Sequence, residues 1–262
     1  MGAAAHLTQH MNALQASGRK ALVVYITAGH PDRARSAELL KGLEAAGADC
    51  IELGVPFSDP LADGPVIQRS SQIALEQGMN FAGALEMVRD AGVTIPVVLF
   101  SYLNPIIRGG NGTLQRAADA GAHGVLVTDL PLGADPEREA WLADGPLDFI
   151  RLVAPTTPSE RMARIAGTGS GFVYLISRLG VTGEQAALAS DLPATAARLR
   201  SATSLPICIG FGIATPAQAT AAARLADGVV VGSALVQAAE QGVDAALTLV
   251  RALRAALDED KA

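Results

Sequence analysis

One grammar repeats along this chain and limits what it can become. Short β-branched runs alternate with Ala/Leu/Arg/Glu-rich stretches from one end to the other. The runs at 21–28 (ALVVYITA), 49–55, 95–102, 124–130, 148–154, 171–177, 206–211 and 228–232 read as strands. Helical patterns are expected over 32–46, 66–91, 111–121, 135–143, 158–167, 191–202, 215–225 and 243–257. Several strand runs are apolar on both faces, as when helices cover a parallel sheet. Gly47 and Gly121 each stand between a helical stretch and a strand, where a left-handed helix end favours glycine. Eight such units predict a single (β/α)8 barrel domain over residues 1–262, with helices outside the strands. An open doubly wound sheet is the rival, its dinucleotide-binding version weakened because no G-x-G-x-x-G follows the first strand. Leu7, Met11 and Leu14 share one face of an N-terminal helix, at about 1–20, expected to cover one barrel end.

Composition removes several function classes. Half of the residues are hydrophobic and the net charge is −6, so a core is expected and a basic nucleic-acid face is not. No apolar run reaches the ~18 residues of a membrane helix, and no secretory signal is visible. The expected setting is cytoplasmic. Cys50 and Cys208 sit in apolar runs and are expected as buried thiols. His6, His10, His30 and His123 form no cluster at the strand ends, so no metal is expected. No lysine stands at a strand C-terminus, which disfavours Schiff-base chemistry.

Barrel chemistry gathers at the C-terminal strand ends. Alternation puts Glu52 on the strand face of Cys50 and Gly54, where an apolar setting makes a carboxylate costly unless paired or used. The loop that follows, with Pro56, Asp59, Pro60, Asp63 and Pro65, is stiff and holds carboxylates over the barrel mouth. Glu52 with Asp63 thus offers separable acid and base roles, Asp63 being expected on the more exposed loop. Glycine-rich strand ends at Gly210–Gly212 and at Gly232-Ser233, with a short helix expected after the latter, suit a phosphate. Residues 177–190, with Gly180 and Gly183, are long for a βα loop and have the profile of a lid.

The fourteen residues Glu52–Pro65 (ELGVPFSDPLADGP) closely resemble the signature of the tryptophan synthase alpha chain family. Further similar pieces follow in order, among them Tyr102-Leu103-Asn104-Pro105, Tyr174-Leu175-Ile176-Ser177-Arg178, Gly210-Phe211-Gly212 and Gly232-Ser233. The resemblance implies a (β/α)8 barrel that cleaves indole-3-glycerol phosphate to indole and glyceraldehyde 3-phosphate. It implies catalytic roles for Glu52, Asp63 and Tyr174, and phosphate binding by Gly183, Gly212, Gly232 and Ser233. Tyr25, Phe100 and Thr128 fall on the indole pocket, and Asp59, Pro60, Asn104, Arg178 and Thr182 on the lid and subunit coupling. It also implies a beta-chain partner in an alpha2-beta2 heterotetramer, with pyridoxal phosphate in the beta chain and no cofactor here. A free-standing lyase, or a catalytically weak subunit that mainly activates a beta chain, remains the alternative. A related phosphate-binding barrel would share the glycines but not the Glu52–Pro65 block.

Overall fold

β-Branched side chains fit an extended, doubly covered backbone, and the eight runs form eight parallel strands. The computed structural model describes residues 3–110, 112–177, 191–210 and 212–259. The strands are β1 (Ala21–Thr27), β2 (Cys50–Gly54), β3 (Val97–Ser101), β4 (Gly124–Val127), β5 (Asp148–Val153), β6 (Val173–Ile176), β7 (Ile207–Gly210) and β8 (Gly228–Val231). They pair in chain order and β1 closes on β8, giving a closed barrel rather than an open sheet. The helices α1 (Ala3–Ala16), α2 (Arg33–Gly42), α3 (Pro65–Glu76), α4 (Phe81–Ala91), α5 (Leu103–Arg108) and α6 (Thr113–Asp119) accompany the first half. The second half carries α7 (Pro136–Ala143), α8 (Ser159–Ala166), α9 (Leu192–Ala202), α10 (Pro216–Ala223), α11 (Ser233–Gln241) and α12 (Val243–Glu259).

Two helical expectations needed correction. The stretch 66–91 is not one helix but two, α3 and α4. Gly78 takes a φ of +82° and breaks the run, and the Asn80 side chain caps α4 by accepting from Gly83 N at 3.1 Å. The short α5 follows β3 where no helix was expected, because its six residues are too few to show a periodicity. Elsewhere the ends carry ordinary signals: Asp32 and Asp135 cap α2 and α7, and Thr215 with Gln218 forms a capping box on α10. Gly47 and Gly121 both adopt positive φ, as their helix-ending positions require.

Alternation along each strand sorts the core into two layers. Leu22, Val24, Ile51, Leu53, Leu99 and Val229 point outward against the helices. Val23, Cys50, Val98, Leu126, Ile150, Cys208 and Val230 point inward and fill the barrel. Cys50 and Cys208 are free, fully buried thiols of that inner layer. Leu7 and Met11 of α1 pack into its lower end, each contributing about 1.5–3 kcal/mol by burial. The helix is tied there by Thr8, whose N–H and hydroxyl donate to the Asp148 carboxylate at 3.0 and 2.8 Å. The N-terminal helix therefore plugs the end opposite to the strand C-termini. No described helix is long and apolar enough to cross a membrane.

Candidate active site

At the C-terminal end the inner layer changes character. Glu52 of β2 points inward with Cys50 and Gly54, and is 1% exposed. Its Oε1 has no hydrogen-bond partner among the described residues. Burial alone pushes its pKa up to about 8, so the carboxyl holds its proton at neutral pH. Gly54, one step further along the face, leaves the space that the Tyr25 phenol occupies; a Cβ there would overlap the ring. Gly210 of β7 does the same for the ring of Tyr174, whose phenol is raised well above its usual range by burial and by the charge of Glu52.

The loop after β2 turns tightly, with Asp63 N–H donating to Pro60 C=O at 3.0 Å. Its outer residues Ser58, Asp59, Leu61 and Ala62 are exposed, but Asp63 itself is only 7% exposed. The loop is exposed as expected of the segment that carries Asp63, but it folds that carboxylate back into the barrel. Tyr102, at the end of β3, fixes the fold-back by accepting from Ala62 N at 2.9 Å and donating to Asp63 Oδ2 at 3.0 Å. Burial raises the Asp63 pKa to about 6 while the Tyr102 bond opposes the rise, so Asp63 is mostly ionised at pH 7.

Across the mouth, β7 and β8 end in glycines. Gly232 caps α11, and Ser233 begins it, so the first N–H groups of a nine-residue helix have no intrahelical partner. Gly232, Ser233, Ala234 and Gly212 line the same cavity, of about 190 Å³, as Glu52, Asp63, Tyr25, Phe100 and Tyr174. Tyr25 on β1 stands between the two sides, since β1 pairs with both β8 and β2. Its ring meets Phe100 edge to face at 5.1 Å, giving the cavity an aromatic wall. The site thus combines a protonated and an ionised carboxyl, an aromatic slot and an anion-ready helix end.

Thr128 does not join it. The chain turns at the end of β4, and the Thr128 N–H and hydroxyl donate to Ser101 C=O at 3.0 and 3.4 Å. It sits beside Tyr102 rather than on the cavity wall. Asp59, Pro60 and Asn104 lie on the rim outside the cavity, Asp59 and Asn104 exposed. Arg178, Thr182 and Gly183, with the expected lid over 177–190 apart from Ser177 itself, fall outside the described residues. Sequence reasoning missed Tyr102 as the anchor of Asp63, and missed Ile67, Ile213, Ala214, Val230 and Gln237 as lining. A tyrosine closing β3 was the available signal for the first.

The profile of the tryptophan synthase alpha chain family matches residues 11–261. The chain belongs to that family. The tryptophan synthase alpha chain of Desulfatibacillum aliphaticivorans is 50% identical over 235 residues, covering 88% of this chain and 89% of that one. The alpha chain of Caulobacter sp. (strain K31) is 49% identical over 233 residues, 87% and 84% of the two chains. Among solved structures, a chain of Mycobacterium tuberculosis tryptophan synthase superposes with a TM-score of 0.88 at 35% identity, over 96% of this chain and 97% of that one. The alpha subunit from Legionella pneumophila str. Paris gives 0.87 at 35% identity, over 99% of both. As a tryptophan synthase alpha chain this protein is a carbon–carbon lyase of tryptophan biosynthesis. The alpha chain of the family carries no cofactor; pyridoxal phosphate sits in the beta chain.

Proposed function

We propose that Glu52, Asp63 and the α11 N-terminus carry out the cleavage of indole-3-glycerol phosphate to indole and glyceraldehyde 3-phosphate. The observation that carries this reading is the pair of carboxyls with separated pKa values, about 8 and about 6, in one cavity. Glu52 starts protonated and gives its proton to indole C3, which breaks the ring's aromaticity. Ionised Asp63 accepts a hydrogen bond from indole N1–H and stabilises the positive charge that develops there. The bond from C3 to the carbinol carbon then breaks. Its electron pair returns to the indole, the carbinol oxygen becomes the aldehyde carbonyl, and its proton goes back to Glu52. Tyr174 stands as the site's tyrosine, beside Glu52, and Tyr25 with Phe100 holds the indole ring.

The phosphate is assigned to Gly212, Gly232 and Ser233, with Gly183 joining them. Its binding energy, remote from the reacting bond, positions the indole end. Asp59, Pro60, Asn104, Arg178 and Thr182 couple this mouth to a beta chain, in an alpha2-beta2 heterotetramer that passes indole on for condensation with serine. The solved neighbours include Mycobacterium tuberculosis tryptophan synthase, which supports a beta-chain partner. The chain works as one domain over residues 1–262, and the cytoplasm is its site of action. The test is indole release from indole-3-glycerol phosphate by the purified chain, with and without a matched beta chain. Full-speed release unaffected by the beta chain would favour a free-standing lyase. No release in either case, with stimulation of the beta chain alone, would favour a catalytically weak activating subunit.

A further inference from the structure

Tyr25 lines the same cavity as both carboxyls, yet among the described residues no hydrogen bond joins its phenol to either. Its phenol oxygen occupies the space beside Gly54, on the strand that carries Glu52, and Tyr25 and Glu52 are paired in the β1–β2 register. Burial and then the charge of Asp63 hold the phenol well above its usual range, with Glu52 adding to the effect. A free phenol O–H in such a field would turn toward the carboxylates. Instead its hydrogen-bond partner is the hydroxyl of Thr27, two residues further along β1 on the same face, at 3.3 Å. Thr27 in turn pairs with Ser70 of α3 at 2.7 Å, and Ser70 donates to the backbone carbonyl of Ile67 at 2.8 Å.

Each hydroxyl has one proton, and that fixes the direction of the chain. The Ser70 proton is committed to the Ile67 carbonyl, so Ser70 accepts from Thr27. The Thr27 proton is then committed to Ser70, so Thr27 accepts from Tyr25. Tyr25, Thr27 and Ser70 are 6%, 1% and 0% exposed, so the Thr27–Ser70 part of the relay is shielded from bulk water. We propose that Thr27 and Ser70 are positioning residues of the active site: they draw the Tyr25 proton inward, so that the phenol oxygen faces the cavity and its two carboxyls as an acceptor only. The relay matters because a donor aimed at a carboxylate favours its ionised form. Withholding that donor keeps Glu52 an acid and leaves Asp63 free to accept from a ligand N–H. The direction of the relay stands on its own; its consequence for turnover rests on the roles proposed above for Glu52 and Asp63.

The test reads the carboxyls directly, by titrating carboxyl-13C-labelled Asp and Glu in the intact chain by NMR. Thr27→Val keeps the shape of the side chain and removes the acceptor, releasing the Tyr25 proton toward the cavity. We expect the Asp63 or Glu52 midpoint to fall by about half a pH unit or more, the size of a single added hydrogen bond to a carboxylate. Ser70→Ala should act in the same direction, and serves if the Thr27 variant does not fold. Thr27→Val combined with Tyr25→Phe should show no fall, since no phenol proton remains to be redirected. Unchanged midpoints in both folded single variants would overturn the proposal. So would an equal fall in the double variant, which would trace the shift to repacking. The limb of kcat/KM set by that carboxyl, acidic for Asp63 and alkaline for Glu52, should move with its midpoint. If the midpoints move as expected but no form releases indole, the reaction assignment fails and the relay stands.

Discussion

Glu52 and Asp63 are both displaced by burial, but Asp63 has a hydrogen-bond donor in Tyr102 and the Glu52 Oε1 has none among the described residues. That difference, added to the deeper burial of Glu52, separates their pKa values and so their roles. The productive state, Glu52 protonated and Asp63 ionised, is populated between about pH 6 and about pH 8. We expect a bell-shaped kcat/KM profile with limbs near those values, and Asp63→Asn should abolish the acidic limb along with most activity. Glu52→Gln should lower kcat by about 10²–10⁴, measured as indole release. The same variant should be more stable than the parent. A carboxyl whose folded pKa is raised from 4.5 to about 8 contributes stability that is complete below pH 4.5 and is lost as pH rises through about 8. The gain from Glu52→Gln should therefore be small at pH 4 and grow toward pH 8, to roughly a few kcal/mol in denaturant titrations. A variant equally stable at both ends would mean that Glu52 titrates normally in the fold. Gly54→Ala should fail differently, losing stability and activity together because its methyl would overlap the Tyr25 ring.

At the scale of elements, α11 tests the anion site. Its first turn faces the cavity through Gly232, Ser233 and Ala234. Ser233→Asp keeps a residue that suits a helix start, so the fold should hold while a carboxylate meets the substrate phosphate. We expect KM for indole-3-glycerol phosphate to rise at least ~10-fold, about 1.4 kcal/mol, with free indole binding little changed; equal losses for both would place the phosphate elsewhere. The elements themselves were legible for local reasons. Doubly apolar runs such as 228–232 and 206–211 can be satisfied only inside a covered sheet, and their strands differ from expectation by a residue or two. Glu52 stood out because alternation put it on the inner face. What stayed hidden depends on how the chain returns in space. Asp63 is buried because Tyr102, 39 positions away, holds the loop down. Thr128 shares the inward parity of Leu126, yet β4 ends at Val127 and the turn carries it to Ser101 instead. The Thr27–Ser70 relay joins a strand to a helix 43 positions on, and no local pattern announces it.

The whole molecule separates stability from chemistry by putting them at opposite ends of one barrel. The lower end is sealed by α1 and by a charged seam in which Arg254 of α12 and Arg19 both reach Asp49, at 3.0 and 3.1 Å. The upper end keeps its cavity and also its exposed apolar side chains: Leu61, 89% exposed in the loop that carries Asp63, and Ile107 of α5, 36% exposed beyond Asn104. Both follow C-terminal strand ends, and Ala62 and Asp63, just after Leu61, are bonded to the same Tyr102 that precedes α5. A partner covering Leu61 would therefore press on the short loop whose other end is the Asp63 carboxylate. Burying a leucine stabilises a contact by about 1.5–3 kcal/mol, enough for a 10- to 100-fold change in affinity. We expect Leu61→Asp to weaken binding of a matched beta chain at least ~10-fold in calorimetry or gel filtration. The isolated variant should keep the parent's melting temperature and its basal indole release, because Leu61 contacts solvent rather than the core. The stimulation of indole release by the beta chain should be recovered at high beta-chain concentration, since the loss is one of affinity. Unchanged binding would move the docking face away from the Asp63 loop, and with it the route by which a beta chain reaches the lyase site.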